Sequence, residues 1–174
     1  CFPKDTKGLV SAADKYKVNL SVVKSVIKSN QNRVNLLTKK IHKLLGSNLK
    51  NKKISFLGVT FKPNTDDMRD SSSLKMIPYF CKKGAKVNYY DPSGEKKEFK
   101  KLKNCFFKHD IRTNCFNADL VILLTEWDEF KIINFKKIVM NNKFKVYDLR
   151  NLYNPKDMKK NNIRYYSVGR PNII

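Results

Sequence analysis

Lys62, Asp66, Asp67, Arg69 and Asp70 crowd into one stretch of the 174-residue chain, FKPNTDDMRDSSS from Phe61 to Ser73. Just before them an apolar run of β type supplies Ile54, Phe56 and Leu57, and Gly58 lets the chain leave that run without a Cβ clash. After them Ser71 to Ser73 offer capping hydroxyls to a helix whose apolar positions are Leu74, Ile77 and Phe80. In an open α/β sheet such a strand-to-helix loop lies at the ligand-binding edge, so Lys62 is placed to face a phosphate or a hexose hydroxyl. The alternative is a solvated charged loop with no ligand. Arg150 follows a second strand, Phe144 to Leu149, and its planar fork suits phosphate, so Lys62 and Arg150 are expected to converge on one crevice. For Arg150 the alternative is a surface ion pair with Asp148 or Asp157.

The other reactive residue types say less. Adjacent side chains in a loop usually diverge, so Asp66 and Asp67 read as structural rather than as a metal or paired-carboxylate site. His42 and His109 stand in no ligand spacing, and Cys1, Cys81, Cys105 and Cys115 show neither CxxC spacing nor a dense disulfide pattern. The first strand is followed by GVTFKP, with a single glycine where a dinucleotide-binding turn carries G-x-G-x-x-G. This domain is therefore not expected to bind NAD in the ordinary way. Trp127 either borders the crevice or simply packs.

The elements that must position these groups form an α/β pattern. Pro3 and Asp5 fit the first turn of a helix with Leu9, Val10, Ala12 and Ala13 facing inward. A second helix is expected from about Ser21 to Leu45, ended by Gly46, and its length suits a domain connector or a subunit contact, a core helix of one domain being the alternative. From Lys52 onward strands and helices alternate, which predicts a Rossmann-like, mainly parallel sheet. The strands are expected at Ile54–Gly58, Ala85–Tyr90, Asp119–Thr125, Phe144–Leu149 and Arg164–Ser167, and the helices at Ser71–Lys83, Phe130–Met140 and Lys156–Asn161. Pro78 should kink or shorten the first of these helices. Ser93–Asn117 gives only weak signals for a helix and a strand. The division expected is a helical segment over 1–50 and a sheet domain over 51–174.

Lys and Arg number 37 against 15 Asp and Glu, a formal charge of +22. Alone this would suggest a polyanion partner. The lysine pairs are spread along the chain among many asparagines, and neither a zinc finger nor an RNA-binding aromatic signature accompanies them. Non-specific binding at low salt is expected, and no specific nucleic-acid partner. No run of about 18 apolar residues exists, so neither a membrane span nor a secretory signal is indicated and a soluble cytoplasmic protein is expected.

Four motifs in order, CFPKD (Cys1–Asp5), FKPNTDDMRDSSS, TEWDEF (Thr125–Phe130) and YDLRNLY (Tyr147–Tyr153), resemble the UDP-glucose 6-dehydrogenase family. The resemblance covers essentially the whole chain but only the second half of the family pattern. It implies that the long helix joins two Rossmann-like domains and carries much of a homodimer interface. It places Phe61, Lys62 and Arg150 on positions that bind the nucleotide sugar, Cys1 on the nucleophile, Asp5 on the acid that orients water, and Lys4 and Arg69 on positions that contact NAD. The implied reaction takes UDP-glucose to UDP-glucuronate with two NAD, through a Cys thiohemiacetal and thioester that water releases. A free thiol titrates near about 8.5, and Lys4 with the helix start near Pro3 would favour the thiolate. TFKPNTDDMRD and TEWDEF favour UDP-glucose over UDP-N-acetylmannosamine or GDP-mannose. A free-standing nucleotide-sugar or polyanion-binding module is the other alternative. Cys1 opens the chain without an initiator Met, so a fragment or a processed product is expected, and the resemblance implies a part lacking the N-terminal NAD-binding domain and inactive by itself.

Overall fold

In the computed structural model, which describes residues 2–173, the chain divides into two units, residues 1–40 and 41–174. The first contains α1 (Phe2–Lys15) and most of α2 (Ser21–Leu45). Lys17 takes a positive φ of 56° to turn the chain between them, and Lys24 pairs with Asp14 at 2.6 Å. Val22, Val26 and Leu36 are exposed on α2. Among the described residues no helix is long and apolar enough to cross a membrane.

The second unit alternates strand and helix: β1 (Lys53–Leu57), α3 (Ser73–Lys82), β2 (Lys86–Tyr90), β3 (Cys105–Phe107), α4 (Ile111–Cys115), β4 (Leu120–Leu123), a 3₁₀ turn (Asp128–Ile132), α5 (Phe135–Ile138), β5 (Lys145–Asp148), α6 (Pro155–Lys160) and β6 (Arg164–Ser167). The strands form one parallel sheet in the order β3-β2-β1-β4-β5-β6. The expected α/β fold with a mainly parallel sheet is therefore present, and the strand order reverses between β1 and β4. β4 reads as a continuous apolar run because both its faces are covered. One face packs on α3, where Phe80 meets Phe56 at 6.3 Å between ring centroids. The other face, with Leu57, Val121, Leu123, Val146 and Tyr165, packs on Cys115, Phe130, Phe135 and Met158.

Two expected helices differ from those found. α3 begins two residues later than expected, because the hydroxyls of Ser71 and Ser73 donate to the Val59 carbonyl at 2.7 and 2.6 Å instead of capping the helix. The helix runs through Pro78 and stops at Lys82, so proline costs it one donor without breaking it. The single helix expected over Phe130–Met140 is instead a 3₁₀ turn and a short α5, separated by Ile133 in an extended conformation and by Asn134, whose side chain accepts from the Lys137 N–H. That local cap competes with a continuous helix.

The amino-terminal ends of the strands carry a row of cations. Lys53 lies in register with Lys86, and Lys145 with Arg164. Burial, then Arg164 and Lys52, holds the Lys145 ammonium below the usual lysine range, while its Nζ donates to the Leu44 carbonyl at 3.0 Å. A small part of the positive charge thus sits at the edge of the sheet opposite the strand ends that bind ligands in this architecture.

Candidate functional site

The carboxyl ends of β1 and β4 flank the point where the strand order reverses, and in open α/β sheets ligands bind there. The β1 loop starts at Gly58, whose φ is +75° and whose N–H donates to the Tyr90 carbonyl at 2.9 Å. Thr125, just past β4, donates from Oγ1 to the Thr60 carbonyl at 2.7 Å, which holds the two loops side by side.

Asp91, at the end of β2 and 1% exposed, organises the base of the β1 loop. Its Oδ2 accepts from the N–H groups of Val59 and Thr60 at 2.7 and 3.1 Å and from Thr60 Oγ1 at 3.3 Å. Its Oδ1 accepts from the N–H and hydroxyl of Ser93, and the buried Lys96 ammonium stands 3.9 Å away. In a dinucleotide-binding turn these backbone N–H groups would face the pyrophosphate and an acid near this strand end would take a ribose hydroxyl. Here acid and N–H groups satisfy each other, so the turn does not fit the pyrophosphate of NAD. Reading the sequence did not single out Asp91, although the Asp91-Pro92 pair marks the strand end where it acts.

The charged stretch folds back on itself. Phe61 N–H donates to the Asp67 carbonyl at 2.8 Å, and Arg69 grips Asp67 through Nε and Nη2 at 2.9 and 2.8 Å. Asp67 is thus structural, as expected. This bidentate contact with Arg69 holds the Asp67 carboxyl down to about 2 from its ordinary 3.8, and Lys62 adds a smaller attraction. The group lies in solvent, and its contribution to loop order is present above the ordinary carboxylate range and lost as pH falls through about 2. An NMR titration should therefore place the Asp67 midpoint near 2, and Arg69→Ala should move it back toward 3.8. Phe61 and Lys62 are exposed on the same loop.

Arg150 follows β5. Its guanidinium donates to Glu126, in the loop after β4, and not to the Asp148 or Asp157 weighed from sequence. Asp148 is wholly buried and already accepts from Arg150 N–H, Tyr153 N–H and Tyr165 OH. The Thr60–Thr125 and Glu126–Arg150 contacts therefore link the loops after β1, β4 and β5 along one edge. At the same edge, Glu126 Oε2, Trp127 Nε1 and Asn151 Oδ1 are buried without a hydrogen-bond partner among the described residues. Buried polar atoms are normally paired, so this cluster marks where a polar ligand or solvent belongs. Glu126 lies within the TEWDEF motif, but its contact with Arg150 spans 24 positions and has no local signal.

A separate cleft of about 620 Å³ lies between the β1 loop and the segment after β2, with Asp67, Arg69, Glu95, Lys97 and Glu98 in its wall. None of Phe61, Lys62 or Arg150 lines it. The orphaned polar atoms lie at the switch-point edge, whereas the charges of the cleft are mixed. Lys4 and Asp5 are exposed on the first turn of α1, in the first unit. Cys1 lies outside the described residues. Among the described residues no group of His, Cys, Asp and Glu could hold a metal ion.

Comparisons with known proteins identify the family. The UDP-glucose 6-dehydrogenase of Rhizobium meliloti (strain 1021) is 36% identical over 172 residues, covering 98% of this chain and 39% of that protein. The UDP-glucose 6-dehydrogenase YwqF of Bacillus subtilis (strain 168) is 33% identical over 178 residues, covering 100% of this chain and 40% of that protein. The chain thus spans about two fifths of the length of these relatives. Among solved structures, the UDP-glucose dehydrogenase of Pyrobaculum islandicum superposes with a TM-score of 0.72 at 25% identity, over 85% of this chain and 33% of that one. The NDP-N-acetyl-D-galactosaminuronic acid dehydrogenase of Methanosarcina mazei Go1 gives a TM-score of 0.79 at 22% identity, over 98% of this chain and 38% of that one, and shares the fold. Residues 55–155, from within β1 to the start of α6, match the profile of the UDP binding domain of the UDP-glucose/GDP-mannose dehydrogenase family. On that match, and on the 36% identity over 98% of its length, the chain belongs to the UDP-glucose/GDP-mannose dehydrogenase family.

Proposed function

We infer that this chain is the UDP-sugar-binding part of a UDP-glucose 6-dehydrogenase, and that UDP-glucose lies along the carboxyl edge of β1, β4 and β5. The observation that carries the reading is the cluster of orphaned polar atoms after β4 and β5, set beside the loops that hold Phe61, Lys62 and Arg150. Each side chain suits a part of such a ligand. The exposed Phe61 ring can stack on a base or a sugar face, Lys62 supplies a point charge, and the Arg150 fork can reach phosphate while Glu126 steadies it. Relatives named UDP-glucose 6-dehydrogenase support UDP-glucose over GDP-mannose or UDP-N-acetylmannosamine.

In the longer enzyme, oxidation of the sugar alcohol to a carboxylate would use NAD as hydride acceptor. The β1 turn does not fit that cofactor, so its pyrophosphate would be held by a dinucleotide site of the longer protein, with Lys4 and Arg69 reaching toward it. Cys1 would trap the aldehyde and Asp5 would orient the water that releases UDP-glucuronate. The enzyme is proposed to act in the cytoplasm as a homodimer, with α2 at the interface. Its exposed Val22, Val26 and Leu36 give a subunit something apolar to cover.

Calorimetric titration of the folded chain with UDP-glucose tests the site. Lys62→Ala and Arg150→Ala should each weaken binding by about 1.5–3 kcal/mol, the scale of hydrogen bonds to charged groups. Unchanged affinity in both variants would remove the site assignment. GDP-mannose binding as tightly as UDP-glucose would contradict the choice of sugar nucleotide. A steep fall of UDP-glucose affinity with salt, matched by tighter binding of a DNA oligomer, would favour a polyanion-binding module instead.

A further inference from the structure

Cys81 and Cys105 show no motif spacing, yet the fold brings them to one place. Cys81 lies in the last turn of α3, and Cys105 opens β3, the edge strand of the sheet. In the parallel ladder Cys105 is paired with Val87, and Tyr89, two residues further along β2, is paired with Phe56. Paired residues of a parallel ladder share a face and the face alternates along each strand, so Cys105 points to the side where Phe56 meets Phe80 of α3. The chain then turns at Gly84 straight from α3 into β2, with the Ala85 N–H on the Phe80 carbonyl at 3.1 Å. This places the end of α3 over the amino-terminal end of β2 and β3, where Cys105 begins its strand. Each thiol is near enough to shift the titration of the other. Both are half-buried, whereas Cys115 is wholly enclosed in the core on the other face.

We propose that Cys81 and Cys105 are a redox-modification site that closes to a reversible disulfide in the presence of a hydroperoxide. Cys105 beside it holds the Cys81 thiol below the usual range, while Cys81 and burial push Cys105 up, so Cys81 is the attacking sulfur. The Cys81 thiolate attacks one peroxide oxygen, the O–O bond breaks, and the departing hydroxide takes a proton to become water, leaving a sulfenic acid on Cys81. The Cys105 sulfur then attacks the Cys81 sulfur, the S–O bond breaks, and hydroxide leaves with the Cys105 proton as a second water. Two thiols and one hydrogen peroxide thus give one disulfide and two waters, and a dithiol reverses the change. The bond would fasten a three-residue edge strand to α3.

The test is to treat the folded chain with hydrogen peroxide, block remaining thiols with N-ethylmaleimide, unfold it and map its peptides. Expected are a Cys81–Cys105 linked peptide that dithiothreitol removes, Cys115 recovered as a free thiol, and a raised thermal midpoint in the oxidised sample. The variant Cys105→Ser should instead accumulate a sulfenic acid on Cys81 that dimedone labels, while Cys81→Ser should give no dimedone label at Cys105. If the folded wild-type chain carries over-oxidised Cys81 without the link, or links either residue to another cysteine instead, the proposal is overturned.

Discussion

Gly58→Ala should destabilise the chain by about 2–5 kcal/mol, summing about 1–2 for a side chain forced into a left-handed backbone and about 1–3 for overpacking. Gly58 holds a φ of +75°, and a Cβ there would lie 2.6 Å from the Thr125 Cβ and 3.0 Å from the Thr125 N and O. Thr125 cannot move aside cheaply, because it is 1% exposed and its hydroxyl donates to the Thr60 carbonyl at 2.7 Å. Relief would have to come from parting the loops after β1 and β4, which is where the ligand edge is built. Gly94 is the control, since its φ is +89° but nothing lies within 4 Å of its Cβ position. Gly94→Ala should show only the conformational part, about 1–2 kcal/mol. Urea unfolding read at constant slope separates the two variants, and equal losses at both positions would refute the close approach at Gly58.

Asp91→Ala should cost about 3–5 kcal/mol, the range seen when one member of a buried charged pair is removed. Each hydrogen-bond partner of the Asp91 carboxylate is a donor: the N–H groups of Val59, Thr60 and Ser93, and the hydroxyls of Thr60 and Ser93. Only an acceptor-only group satisfies them all, and losing it also removes the carboxylate that faces the buried Lys96 ammonium, itself 5% exposed, leaving it only the neutral Ser93 acceptors. Asp91→Asn keeps one acceptor oxygen but turns an amide N–H₂ toward other donors, so it should lose a substantial fraction of the same stability. Hydrogen exchange at Val59 and Thr60 should accelerate in both variants, because those amides lose their acceptor. An asparagine variant as stable as the parent would mean that the carboxylate is not what holds the β1 loop.

What was legible in the sequence follows how local each signal is. β1 and β4 are apolar runs covered on both faces, so Ile54 to Leu57 and Leu120 to Leu123 could be read directly as strands of a parallel sheet. β3 could not, because it is a three-residue edge strand with little burial, and α4 is a single short helix whose Asp110 cap accepts from the Thr113 N–H. Phe130, Phe135 and Val139 are all buried and imitate one amphipathic helix, yet the Asn134 side chain interrupts it. At the site, Lys62 and Arg150 were visible as charges following strands. Their setting was not, because Glu126, Asp91 and the cation row of Lys53, Lys86, Lys145 and Arg164 depend on strand order and register. The lysines look scattered along the chain because the ladder that aligns some of them is non-local.

Chemical-shift mapping of the ¹⁵N-labelled chain with UDP-glucose tests most directly whether the carboxyl edge of β1, β4 and β5 is the ligand site. Saturable perturbations are expected at the amides of Gly58 to Lys62, Thr125 to Trp127 and Arg150 to Leu152, and at the Trp127 indole N–H, which has no partner among the described residues. They should be strongly reduced in Arg150→Ala, which keeps the fold but loses the guanidinium. Perturbations confined to the cation row at the opposite edge of the sheet, or none in a chain that remains folded, would contradict the site.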